Sequence, residues 1–100
     1  MTVEIDPEGY EIEALQELVT FDNKHVLEIG CGDGRLTWRY ADKPAHVTAI
    51  DPDEEEIANA LTNCPAHLKD HVDLLASSIE EFAAGSEGSK FDIVIFAWSL

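Results

Sequence analysis

Basic residues are scarce in this chain: Lys and Arg number 6 against 21 Asp and Glu, leaving a formal net charge of -15. So acidic a surface repels phosphate backbones and anionic lipids, which argues against nucleic acid or a membrane as partner and in favour of a cationic ligand. Cysteine is rarer still. Cys31 and Cys64 stand without any CxxC spacing, so a disulfide framework is excluded and reduced thiols in a cytoplasmic protein are expected. No apolar run approaches the roughly 18 residues of a membrane helix. Met1 to Tyr10 lacks the basic segment followed by an apolar stretch that marks a secretory signal. Internal repeats and low-complexity tracts are also missing. What remains is a chain of 100 residues, 45% hydrophobic and 27% charged, which suits one small domain with a real core and has no room for a second.

The elements alternate. Asp6, Pro7 and Glu8 read as an N-cap, a preset first helical residue and an acid at the positive helix end. Ile12, Leu15, Leu18 and Val19 continue that helix at amphipathic spacing. Residues 1–24 are thus expected to form a helical lead into the first strand, His25 to Ile29, which runs directly into Gly30. Arg35 to Ala41 has Leu36 and Tyr40 one helical turn apart, Pro44 breaks the following loop, and Val47 to Ile50 reads as a second strand. Asp53 caps a helix carrying Glu54, Glu55 and Glu56 in its first turn, with Ile57 and Leu61 expected to face inward. Val72 to Leu75 is a third strand, Ser78 to Ala84 a short helix, and Phe91 to Phe96 a fourth strand. This order implies an α/β fold, a parallel sheet with flanking helices and right-handed crossovers, whose ligand lies at the carboxyl ends of the strands. The loops at Gly30 to Gly34, Asp51-Pro52, Ser77 to Ile79 and after Phe96 therefore share one rim.

The chemistry concentrates in Glu28-Ile-Gly30-Cys-Gly32-Asp-Gly34. Alternating glycines let a backbone approach a ligand closely, and the helix that follows offers its positive end to a carboxylate or phosphate. A dinucleotide fingerprint, GxGxxG, would need glycine where Arg35 stands. Asp51 ends the second strand, where a carboxylate can accept from both hydroxyls of a ribose; Asp51-Pro52 also suits a plain turn.

At these residues the sequence resembles the class I S-adenosylmethionine-dependent methyltransferases. Val26 to Arg35 (VLEIGCGDGR) looks like the family's first motif and Ala49 to Ile57 (AIDPDEEEI) like its second. Ser77 to Phe82 (SSIEEF) and Phe91 to Leu100 (FDIVIFAWSL) look like its third and fourth, in the same order. The resemblance implies a Rossmann-like fold and S-adenosylmethionine as cofactor, with residues 25–100 as its binding half-domain. It implies that Glu28, Gly30 and Gly32 surround the methionine moiety and that Gly34 permits close helix packing. Asp51 would bind the ribose, Pro52 the adenine face, the Ile79 backbone the adenine edge, and Ala97 the sulfonium end. Ser78 stands where the family often has Asp, and a hydroxyl accepts more weakly than a carboxylate. A cationic sulfonium suits a rim carrying Glu28, Asp33 and Asp51 better than an anionic pyrophosphate does.

The resemblance implies a methyltransferase acting on a small-molecule acceptor; no residue is assigned a catalytic role. A complete domain of the family has further strands, so the chain reads as truncated after the fourth strand, with Phe91 to Phe96 an open edge through which self-association is expected. The alternative is a non-catalytic nucleotide-binding or interaction module built on the same half-fold. Cys64, His67 and His71 offer zinc donors but no evident fourth ligand, and read better as solvated loop residues. Trp38 reads as a packing residue of the first crossover helix, and Trp98 follows the fourth strand at the ligand rim. Ala97-Trp98-Ser99-Leu100 departs from the Asn/Asp-Pro-Pro-Tyr/Phe that family members methylating exocyclic amines carry, which argues against a nucleobase amine as acceptor.

Overall fold

A computed structural model describes residues 2–5, 21–85 and 91–97 of the chain. Its strands are β1 (Thr2–Ile5), β2 (His25–Ile29), β3 (His46–Asp51), β4 (Val72–Ala76) and β5 (Ile93–Ala97). Its helices are α1 (Thr37–Tyr40), α2 (Glu54–Asn63) and α3 (Ile79–Gly85), with a 3-10 turn at Ala66–Leu68. All pairings are parallel, in the order β1-β5-β2-β3-β4. Four strands and their connecting helices fall where β-branched runs and glycine or aspartate stops place them, and the fold is the expected Rossmann-like α/β sheet.

Register decides which side chains meet. Val26 lies opposite Val47 and Ile93, and Glu28 opposite Ala49 and Ile95, so one sheet face carries all six. Leu36, Tyr40, Ile57 and Leu68 close over that face to form a core with Val72. Phe21 stacks on Tyr40 with ring centroids 5.2 Å apart and planes 14° apart, which fixes the tyrosine ring from the chain segment preceding β2. Asp53 caps α2 as expected, its Oδ1 accepting from the amides of Glu55 (2.9 Å) and Glu56 (3.3 Å). Ser78 caps α3: its hydroxyl accepts from the Glu81 amide at 3.1 Å and donates to Glu81 Oε1 at 3.2 Å.

Four expectations from the sequence need correction. The strand at 91–96 is not an open edge, because the backbone of Thr2–Ile5 pairs with Thr2 opposite Val94 and Ile5 opposite Ala97. The described sheet therefore ends on β1 and β4, and an unpaired edge at 91–96 no longer supports self-association. Leu61 does not face inward. It is 57% exposed, while Ala60 beside it is wholly buried with Ile57, so α2 turns a small residue toward the sheet where the sequence suggested a large one. Residues 1–24 are not all helix, since Thr2–Ile5 is a strand; the expected helix from Asp6 to Val19 lies outside the described residues. The first crossover helix is also shorter than expected, Thr37–Tyr40, because the glycine loop continues in turns through Leu36. Among the described residues no helix is long and apolar enough to cross a membrane.

Candidate functional site

The carboxyl ends of β2, β3 and β5 converge on the glycine loop. Gly30 has φ +80°, and a Cβ there would lie 2.8 Å from the carbonyl oxygen of Ala97, so only glycine lets the end of β5 close on the loop. Gly34 has φ +89°, and a Cβ would lie 2.6 Å from the indole of Trp38. The close packing expected at Gly34 is thus made by that ring, and Trp38 packs against the core as its helical position suggested.

Backbone and side chain both tie the loop to β3. The amides of Gly30 and Cys31 donate to the Ile50 carbonyl at 2.9 and 3.1 Å. Asp51, nearly buried at 8% exposure, accepts from the Gly32 amide through Oδ2 (3.0 Å) and from the Asp53 amide through Oδ1 (2.9 Å). The carboxylate at the end of β3 therefore does two jobs locally, holding the loop and starting α2. Ser77 donates its amide to the Asp51 carbonyl at 2.9 Å, which brings the turn after β4 to the same rim.

Glu28 sits beneath the loop and is wholly buried. Its Oε1 accepts from the Tyr40 hydroxyl at 2.6 Å, and the Thr37 hydroxyl lies 3.0 Å from both carboxylate oxygens. Desolvation pushes its carboxyl up to about 7 although the two hydroxyls pull it down. Burial first, and then the charge of Glu28, hold the Tyr40 hydroxyl well above its usual range, so it remains a donor. The cysteine in the loop, Cys31, is likewise held in its thiol form by burial and by the negative charges of Glu28, Asp51 and Glu56.

A shallow cleft opens above the loop. Gly30, Gly32 and Ala97, all expected from the sequence, line it. So does Asp33, whose carboxylate the sequence placed on the rim, together with Cys31, Arg35, Leu36 and Glu56, which were not among the expected contacts. The signal for Glu56 was its position at the third residue of an Asp53-capped helix, whose start the loop adjoins. Gly34 packs behind the cleft, Asp51 holds it through Gly32, and Glu28 lies below it on Thr37 and Tyr40 rather than on its wall. Pro52 is exposed beside Asp51, Ile79 is 38% exposed at the start of α3, and the Ser78 hydroxyl is committed to its helix cap. Trp98 lies outside the described residues.

Cys64, His67 and His71 do not converge. His71 Nε2 donates to the Pro44 carbonyl, the Cys64 thiol lies 3.6 Å from the Pro65 carbonyl, and His67 is exposed. No group of three potential ligands among the described residues could hold a metal ion.

Comparison with known proteins gives a consistent pattern. Residues 26–100 match the family described as "Methyltransferase domain". The ubiquinone biosynthesis O-methyltransferase of Aromatoleum aromaticum is 46% identical over 74 residues, covering 71% of this chain and 30% of that protein. Among solved structures, the precorrin 8w decarboxylase of Methanobacterium thermoautotrophicum superposes with a TM-score of 0.72 at 25% identity over 92% of this chain and 50% of its own. An arsenic(III) S-adenosylmethionine methyltransferase from Chlamydomonas reinhardtii gives 0.66 at 26% identity, over 77% of this chain and 29% of its own. The chain spans about a third of the length of the curated relatives it matches.

Proposed function

The chain belongs to the class I S-adenosylmethionine-dependent methyltransferases, and we propose that it forms the cofactor-binding part of an enzyme that methylates a small molecule. The observation that carries this reading is the glycine loop fastened to Asp51 at the carboxyl end of β3, beneath a cleft walled by Asp33 and Glu56. The residues fit the cofactor. A cleft with two carboxylates on its wall and a third behind Gly32 attracts a cation and repels the pyrophosphate of a dinucleotide.

In this reading Asp51 accepts the ribose hydroxyls, Pro52 covers one face of the adenine, and the backbone at Ile79 meets its edge. Gly30, Gly32 and Ala97 line the methionine end. Glu28 acts from below through the helix it anchors, and Gly34 sets how closely that helix approaches. Ser78 contributes as the cap that fixes Ile79. Residues 25–100 make up this unit, preceded by the segment that supplies β1.

S-adenosylmethionine, when bound, supplies a methyl group on a positively charged sulfur, a carbon already open to attack. The chain's part is to orient that group and keep water from it. The O-methyltransferase names of the curated relatives support a hydroxyl oxygen on a small molecule as acceptor. No nucleic acid is expected, given the net charge of -15.

Titration calorimetry with S-adenosylhomocysteine and, separately, NAD tests the reading. Heat from the first alone is the expected outcome. Heat from NAD alone, or from neither, overturns it and favours the dinucleotide or interaction-module alternatives.

A further inference from the structure

Glu56 lies within the second motif, where the resemblance gives it no ligand role, yet it stands on the cleft wall. Asp53 fixes the start of α2 by accepting the Glu56 amide, and Ile57 next to it is buried in the core, so the side chain of Glu56 is directed by a rigid helix end. Its Oε2 lies 3.2 Å from where a Cβ on Gly32 would be. The middle glycine of the loop is therefore covered by the Glu56 carboxylate, while its amide is held by the carboxylate of Asp51.

Among the described residues no hydrogen bond or ion pair engages the Glu56 carboxylate. Among the described residues Arg35 is the one basic side chain on the cleft wall, and its Nε lies 3.6 Å from Asp33 Oδ1. The negative charge at Glu56 is thus left facing the cleft. Glu54 and Glu55, in the same turn, are exposed, whereas Glu56 is half-buried where water screens it less.

We infer that Glu56 selects ligand charge at this cleft, its carboxylate above Gly32 favouring the cationic sulfonium donor over the neutral thioether left after methyl transfer. The inference rests on the proposed cofactor. Donor and product share adenine, ribose, ammonium and carboxylate and differ only in a methyl group and the charge it brings. A carboxylate held over the middle of the loop reads that difference, and its attraction disappears with the methyl group, which speeds product release.

The test is the Glu56→Gln variant of the full chain, titrated calorimetrically with S-adenosylmethionine and with S-adenosylhomocysteine. A half-exposed charge pair sets the scale: affinity for the cationic donor falls about three- to tenfold, and affinity for the neutral product stays within about twofold of the parent. The parent's ratio of donor to product affinity falls as salt is raised, and the variant's changes less. Product binding within that range shows that the variant is folded. Equal losses for both ligands, or no loss for either, overturn the inference while leaving the proposed function standing. A parent chain that binds neither ligand overturns both.

Discussion

Replacing Glu28 with Gln tests how the carboxyl under the loop is ionised. Glu28 is wholly buried, with hydroxyls from Tyr40 and Thr37 as its hydrogen-bond partners. Its carboxyl is pushed up to about 7 from the ordinary 4.5 by desolvation, the largest influence on it. Because the folded state holds the proton more tightly than the unfolded state does, the stabilisation is complete below the unfolded value of 4.5 and is lost as pH rises through about 7. The whole interval is worth about 3 kcal/mol, of which about 2 to 3 kcal/mol disappears between about pH 5 and about pH 8. Glutamine keeps the network, since its carbonyl can accept from Tyr40 and its amide can donate to Thr37. Urea unfolding of both proteins at the two pH values is the assay. The parent should lose that stability on going to the higher pH, and Glu28→Gln should lose less by about the same 2 to 3 kcal/mol. The four histidines are common to both chains and cancel in the comparison. Parallel losses in the two proteins would refute the reasoning, since Glu28 would then be ionised in the fold at both pH values.

Three further substitutions bear on the loop. Gly34→Ala should lower the melting temperature more than Gly32→Ala, because a Cβ at Gly34 meets the Trp38 ring at 2.6 Å whereas at Gly32 it meets only the Glu56 carboxylate, at 3.2 Å. Strain from positive φ alone costs about 1 kcal/mol at either glycine, so the reverse order in a thermal scan would show that the indole yields freely. Asp51→Ala should weaken S-adenosylhomocysteine by at least about tenfold if ribose hydroxyls bond to the carboxylate, as calorimetry would measure. The same variant leaves the Gly32 and Asp53 amides without acceptors and should cost about 1 to 3 kcal/mol in urea unfolding. Unchanged ligand affinity in a destabilised variant would leave Asp51 a structural residue only.

Most of the sheet was legible because its cues are local. HVLEI and the run from Val47 to Ile50 are short β-branched segments closed by Gly30 and by Asp51-Pro52, and Asp53 with three acids behind it marks a helix start. What failed depended on contacts distant in sequence. Thr2–Ile5 is only four residues, too short to show a periodicity, and its partner lies at the opposite end of the chain. Leu61 was expected inside because hydrophobicity outweighs size in a periodicity argument; α2 instead buries Ala60 together with Ile57. At the site, Glu28 was read as a ligand contact from its place in the first motif. Thr37 and Tyr40, three apart on one face of α1, were the available sign that a buried acid opposite them would be satisfied from the helix.

The role in the fold that Asp51 has and the ribose contact proposed for it are compatible. A carboxylate has about four acceptor positions on two oxygens, and the amides of Gly32 and Asp53 take one on each. Both ties come from donors. Hydroxyls of a ribose are donors too, so in the proposed function they would occupy the remaining positions without displacing either amide. The ligand's own carboxylate is different. It needs donors, and the Gly32 amide, which would otherwise point its hydrogen into the loop, is already spent on Asp51. Gly30 and Cys31 have likewise given their amides to Ile50. In the proposed function the ties of the loop to Asp51 and Ile50 would already be made before the hydroxyl-bearing and cationic parts of a ligand arrive, so that forming them would cost no affinity.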